Sequence, residues 1–163
     1  EKMTRVLFTS DPHFGHKRIH KFRTRFSTPE EHDIFIYNMI VKNVGKRDVL
    51  WILGDICFDV ESLNKIEDIA KKVSQLNIVL GNHDESEAVR KGLCTIGNPQ
   101  GFTYKYGFWI GHYPIHPLEL RGKPMIHGHM HAETIPDNRY FSVCPEVNNW
   151  SLVNLQEIKV KVL

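Results

Sequence analysis

The run Val49-Leu50-Trp51-Ile52-Leu53 is apolar at every position. A strand with one face in water alternates apolar and polar side chains. A strand without a polar position has to be covered on both faces, so this stretch calls for a sheet with further layers packed on either side. Residues 5–10 and 77–80 read the same way. The segments between these runs carry helical signals. Thr28 reads as an N-cap, Pro29 as the first helical residue and Glu31 as the capping-box partner. Ile36, Met39, Ile40 and Val44 then form an apolar stripe at helical spacing, closed by Gly45-Lys46-Arg47. His32 and Asn38 on this helix read as solvated or capping groups. Residues 60–74 read as a second helix with Leu63, Ile66, Ile69, Ala70 and Val73 turned inward, and residues 85–90 open a third. Beyond Pro99 the runs become short. Residues 102–106 and 108–110 alternate around Gly107 as in a hairpin, and residues 124–127, 139–144 and 158–162 read as further strands. The chain is read as one α/β domain over residues 1–163.

The strands share a manner of ending. Each apolar run stops, usually at a glycine, and a metal-capable residue follows: Asp11 and His13, then Asp55, then Asn82 and His83, then His112, then His129 and His131. Gly54, Gly81, Gly111 and Gly128 stand immediately before these residues, where a missing Cβ lets backbones crowd a common centre. Taken alone, Gly81-Asn82-His83-Asp84 fits an ordinary Asn/Asp turn as well as it fits a site. The repetition of the pattern favours a site, because strand ends gathered on one side of a sheet open into one crevice. The donors are carboxylate, imidazole and amide oxygen, without thiolate. That mixture suits Mn2+, Zn2+, Fe or Ni2+. Their number exceeds what one tetrahedral ion takes and fits two ions sharing a carboxylate, about 3.5–4 Å apart.

In order along the chain, Asp11-x-His13, Gly54-Asp55, Gly81-Asn82-His83-Asp84, Gly111-His112 and Gly128-His129-x-His131 resemble the full signature of the calcineurin-like metallophosphoesterases. The opening Asp11-Pro12-His13-Phe14-Gly15-His16 looks like that of the small phosphoesterases of bacteria and phages. The resemblance implies a four-layer α/β/β/α sandwich of two mixed sheets flanked by helices. It also implies residue roles. Asp11, His13 and His131 resemble the ligands of a first metal, Asn82, His112 and His129 those of a second, and Asp55 the bridge. His83 resembles the histidine that contacts substrate and protonates the leaving oxygen, while Asp84 shapes the turn or orients a neighbour. The activity implied is hydrolysis of a phosphodiester by a hydroxide generated at two divalent cations, Mn2+ first among them.

The residues around this signature bear on the substrate. Lys17, Arg18, Lys21, Arg23 and Arg25 form a basic run without an acid, and His16, Arg18 and Arg23 are candidates to hold phosphate oxygens. His127 reads as buried support, His116 as rim and His20 as surface. The Asp-Arg-Gly that protein phosphatases of the family carry is absent: Ile56-Cys57-Phe58-Asp59 follows Asp55. This turns the expectation away from phosphoproteins and toward a small nucleotide-type or generic phosphodiester. Nuclease or phosphomonoesterase activity at the same centre is the alternative, and a non-catalytic scaffold of the same fold is the third reading. The net charge of +2 is too small to argue for nucleic acid by itself. Cys57, Cys94 and Cys144 lack paired spacing, so neither a disulfide framework nor a thiolate zinc site is expected, and a reducing, cytoplasmic setting is. No run is long enough to cross a bilayer, so no membrane partner is expected.

Overall fold

The computed structural model describes residues 4–162. The first half alternates strand and helix: β1 (Val6–Thr9), α1 (Pro29–Val41), β2 (Val49–Leu53), α2 (Leu63–Lys71), β3 (Gln75–Val79), α3 (Glu87–Ile96) and β4 (Asn98–Gln100). The second half supplies β5 (Thr103–Lys105), β6 (Phe108–Ile110), β7 (Met125–His127), β8 (Tyr140–Ser142), β9 (Val153–Asn154) and α4 (Leu155–Val162). Two mixed sheets result. In one, ordered β4-β3-β2-β1-β9, the first four strands run parallel and β9 runs antiparallel to β1. In the other, ordered β5-β6-β7-β8, only the β5–β6 pair is antiparallel.

The apolar runs are covered on both faces, as Val49–Leu53 requires. Successive side chains on a strand point to opposite faces. Leu7, Leu50, Ile52 and Ile78 therefore pack under α1, α2 and α3, with Ile36, Ile40, Ile66, Ile69, Val89 and Leu93. Their neighbours Phe8, Trp51, Leu53 and Val79 meet Phe108, Ile110, Ile126 and Val143 of the second sheet. Phe8 stacks on Trp51 across the parallel pair at 6.0 Å, and the Trp51 indole N–H donates to the Tyr106 hydroxyl at 3.3 Å.

The α1 start follows its local code. The Glu31 N–H donates to Thr28 Oγ1 at 3.1 Å, and the Glu31 carboxylate accepts from the Ser27 N–H at 2.9 Å. The helix ends at Val41, and Val44 packs on the core from the turn beyond it. Asn38 is half-exposed, but His32 is fully buried, which corrects the solvated reading. Its ring lies between Arg23 and Asp33, at 2.8 and 2.7 Å. Pro99, which has no N–H to donate, is accommodated because β4 is the edge strand.

The expectation of a strand at 158–162 is overturned: these residues belong to α4. Ile158-Lys159-Val160-Lys161-Val162 alternates, and alternation reads as a strand. The buried positions are instead Leu155 and Ile158, with Val162 half-buried and Val160 84% exposed, which is helical spacing. α4 packs against β1, β8 and β9, where the two sheets leave their shared core open. Among the described residues no helix is long and apolar enough to cross a membrane.

Candidate metal centre

β1, β2 and β3 are parallel, so their C-terminal loops emerge on one side of the larger sheet. Backbone bonds tie the first two of these loops together. Asp11 N–H donates to the Gly54 carbonyl at 2.9 Å, His13 N–H to the Asp55 carbonyl at 3.0 Å, and Phe14 N–H to the Ile56 carbonyl at 2.9 Å. Asp84 ties in the third. Its buried carboxylate accepts from the N–H groups of Ile56, Cys57 and Gly81 at 2.9, 3.2 and 2.8 Å. Burial raises this carboxyl, and the three donors pull against that rise. From the second sheet, the loops after β6 and β7 join through Gly128 N–H to the His112 carbonyl at 3.0 Å.

These ties bring Asp11, His13, Asp55, Asn82, His112, His129 and His131 together. Two groups of donor atoms result, each within 4.8 Å of one another: Asp11, His13, Asp55 and His131 in one, Asp55, His112 and His129 in the other. Asp55 belongs to both. Asn82 joins the second group, its Oδ1 lying 3.0 Å from His112 Nε2.

Each carboxylate is held by one oxygen and presents the other. Asp11 Oδ2 accepts from the Ser10 hydroxyl, from the His129 N–H at 2.9 Å and from the Cys144 thiol at 3.4 Å. Asp11 Oδ1 is buried without a hydrogen-bond partner and faces His13 Nε2 and His131 Nε2, each at 3.7 Å. Asp55 Oδ1 accepts from the His83 N–H at 2.8 Å, while Oδ2 stands 3.8 Å from His13 Nε2 and 3.5 Å from His112 Nε2. His112 is aimed in the same manner. Its Nδ1 lies 2.6 Å from the Leu53 carbonyl, which only a protonated nitrogen can satisfy, so in the neutral ring Nε2 carries a lone pair. That lone pair meets Asn82 Oδ1 at 3.0 Å, His129 Nδ1 at 3.3 Å and Asp55 Oδ2. Acceptors facing acceptors in a buried site call for a cation between them. The residues therefore fit divalent metal.

The electrostatics set burial against carboxylate–imidazole attraction. Burial opposes charge on Asp11 and Asp55, yet the surrounding histidines hold both carboxyls below the ordinary range. Burial lowers His13 to about 4, which keeps its ring neutral and one nitrogen's lone pair available. Burial also presses on His112 and His131, but neighbouring carboxylates outweigh it and raise both. His129 is lowered, chiefly by burial.

The backbone is bent to make this arrangement. Asp11, His13, Asp55, His129 and His131 all have left-handed φ values between 52° and 73°. Such conformations are uncommon outside glycine and cost about 1–3 kcal/mol each, and they gather at functional sites. Gly54 is required twice over. Its φ is +94°, and a Cβ there would lie 2.3 Å from His112 Nδ1. A Cβ on Gly81 would lie 2.2 Å from Asp55 Oδ1.

The remaining expected residues are placed as follows. His83 is exposed on the wall of an open cleft of about 740 Å3 above the centre, its ring 5.8 Å from that of His13. His16 lines the same cleft. Arg18 is exposed at the start of a 3-10 turn, Ile19–Lys21. Arg23, a candidate to hold phosphate oxygens, also lines the cleft but is already engaged. It is 3% exposed, and its guanidinium is engaged by the Glu146 carboxylate at 3.1 Å, the Asp11 carbonyl at 2.7 Å and His32. His127 is buried, its Nδ1 on the Gly128 carbonyl. His116 caps the 3-10 turn Pro117–Leu120, and His20 is half-exposed.

Sequence reasoning passed over Glu146. Its carboxylate accepts from His131 Nδ1 at 2.9 Å and pairs with Arg23, so it sets which His131 nitrogen points at Asp11. Its carboxyl is lowered to about 2, against burial, by His131 and Arg23. No local pattern around Cys144-Pro145-Glu146-Val147 announces this role.

A two-sheet α/β sandwich with carboxylates and imidazoles massed at its strand ends is the layout of a metal-dependent phosphoesterase. The chain belongs to the calcineurin-like phosphoesterase family, whose model matches residues 4–161. Gene 66 protein of Mycobacterium phage L5 is 30% identical, the match covering 82% of this chain and 80% of the phage protein. Protein MJ1445 of Methanocaldococcus jannaschii is 27% identical over 96% of this chain and 90% of its own length. The crystal structure of protein AQ665 from Aquifex aeolicus matches the fold with a TM-score of 0.74 at 23% identity, covering 97% of this chain and 99% of AQ665.

Proposed function

We propose that this chain hydrolyses phosphodiester bonds with two divalent transition-metal cations, Mn2+ in the first place and Zn2+, Fe or Ni2+ as substitutes. The observation that carries the reading is the Asp55 carboxylate shared between two groups of inward-facing donors. Asp11, His13 and His131 would hold one cation, and Asn82, His112 and His129 the other. When bound, such a pair neutralises phosphate charge and lowers the pKa of a coordinated water toward neutrality.

The protein's own groups do the rest. His83 stands exposed beside His13, where its imidazole can pass a proton to the departing oxygen. Its backbone N–H holds Asp55 Oδ1, so the loop that carries the proton donor also fixes the shared carboxylate. The cleft is of a size for a nucleotide-type diester. Phosphomonoester or nucleic-acid hydrolysis would use the same donors, with the choice made by the cleft walls. A non-catalytic scaffold has no need for Asp11 Oδ1 and His13 Nε2 to face each other, buried and without partners.

The test is hydrolysis of bis(p-nitrophenyl) phosphate with and without Mn2+. Turnover is expected only with metal, with about two ions bound per chain, and Asp55→Ala abolishes it. Metal-loaded protein that cleaves neither diesters nor monoesters would overturn the proposal.

A further inference from the structure

One wall of the cleft is built of aromatic rings set nearly parallel. Phe22 and His16 lie 5.9 Å apart with 18° between their planes, His16 and Phe58 4.5 Å apart with 22°, and Phe58 and His83 5.3 Å apart with 27°. The run begins at the metal donors, since His83 and Phe58 both neighbour His13. It ends at the mouth with Phe22, which is 75% exposed. The rings come from the loops after β1, β2 and β3, and His83 N–H is pinned on Asp55 Oδ1. Phe58 N–H donates to the Phe14 carbonyl, His16 N–H to the His13 carbonyl and Phe22 N–H to the Ile19 carbonyl, and Ile19 is buried beneath the turn.

A phenylalanine left in water on a rigid turn does nothing for the core. Here it extends a stack that already reaches the site. Lys17, Arg18, Lys21 and Arg25 lie within five residues of it along the chain and are exposed, and Arg25 lines the same cleft. Among the described residues lining the cleft, Glu133 is the exposed carboxylate. A basic surface that tracks a phosphate backbone, beside aromatic rings on which successive bases stack, is how single strands are held without sequence preference. The inner rings cover one another, so the face left free for a base is that of Phe22 at the mouth.

We propose that Phe22, the exposed end of the Phe22–His16–Phe58 stack, is a stacking subsite for a base of a single-stranded nucleic acid whose phosphodiester reaches the metal donors. This deepens, and rests on, the phosphodiesterase reading above. Base-edge hydrogen bonds are not required, so the subsite tolerates any base.

Two readouts separate the subsite from the chemistry. In the first, binding of a fluorescein-labelled ten-nucleotide thymidine strand and of an abasic strand of equal length is measured by anisotropy in EDTA, where hydrolysis does not intervene. Phe22→Ala is expected to weaken the thymidine strand about 5- to 100-fold, the worth of one base–aromatic stack, and the abasic strand by less than about twofold. Phe22→Trp restores tight binding. In the second, Mn2+-dependent hydrolysis of methyl p-nitrophenyl phosphate reports on the metal centre alone. Equal losses on the two strands, or none on the thymidine strand, overturn the subsite. So does a loss confined to thymidine monophosphate, which makes a single nucleotide the occupant. Base-dependent binding without hydrolysis of the methyl ester supports the subsite and sinks the catalytic reading.

Discussion

Replacing Glu146 by alanine tests whether the metal donors are held by a charge network rather than by the strand ends alone. In the native protein the Glu146 carboxylate lies between Arg23 and His131. Its loss leaves the Arg23 guanidinium, 3% exposed, with the Asp11 carbonyl and His32 as neighbours but without its counter-charge. Removing one partner of a buried pair costs about 3–5 kcal/mol. The Glu146 side chain keeps 12% exposure, so the low end, about 3 kcal/mol, is expected. His131 also loses the acceptor that orients its ring, and lost supports of this kind weaken metal binding about 10- to 100-fold. Urea unfolding of metal-free protein reads the first effect, and Mn2+ titration reads the second. Glu146→Gln, which keeps an acceptor for His131, should lose less affinity than Glu146→Ala. The pH dependence has a definite sign. The carboxyl stands at about 2 in the fold against an ordinary 4.5. A depressed carboxyl stabilises above its unfolded value, and that stabilisation fades as the pH falls from 4.5 toward 2. The stability gap between native protein and Glu146→Gln should therefore close over that window. If Glu146→Ala unfolds within about 0.5 kcal/mol of the native protein and binds Mn2+ equally well, the network reasoning is wrong.

Three further outcomes are expected. His83→Ala should lower kcat about 10^2- to 10^4-fold while leaving Mn2+ affinity intact. The deficit should shrink for p-nitrophenolate, a leaving group that needs little protonation, and an equal deficit for alkyl and aryl esters would remove His83 from the role of acid. Gly54→Ala places a Cβ against His112 in a left-handed backbone, so metal binding should collapse; an alanine variant with native Mn2+ affinity would contradict the close approach. Ile158→Ala should cost about 2–5 kcal/mol and Val160→Ala less than about 0.5 kcal/mol, a contrast that a strand facing alternate residues inward would erase.

The sequence by itself determined which side chains gather at the strand ends. An apolar run long enough to be a buried strand, a glycine and a metal-capable side chain form a local pattern, and parallel strands deliver their C-terminal loops to one side. Val49–Leu53 demanded cover on both faces, and the Thr28 cap placed α1, because both signals lie within a few residues of the feature they specify. The family signature then assigned Asp11, His13, Asp55, Asn82, His112, His129 and His131 to a single centre. Tertiary structure alone decided how these groups are aimed. Glu146 acts through Arg23, 123 positions away, and Asp84 through amides 27 and 28 positions back. Arg23 is buried and paired only because the fold brings Glu146 and His32 against it. The alternation of residues 158–162 pointed to a strand, yet the open side of the sandwich is filled by Leu155 and Ile158 on one face of a helix. Hydrophobic period and capping are read over a turn or two of chain, whereas a buried charge takes whatever partner packing places beside it. The first kind of information is written in neighbouring residues, and the second comes into being only when the chain closes on itself.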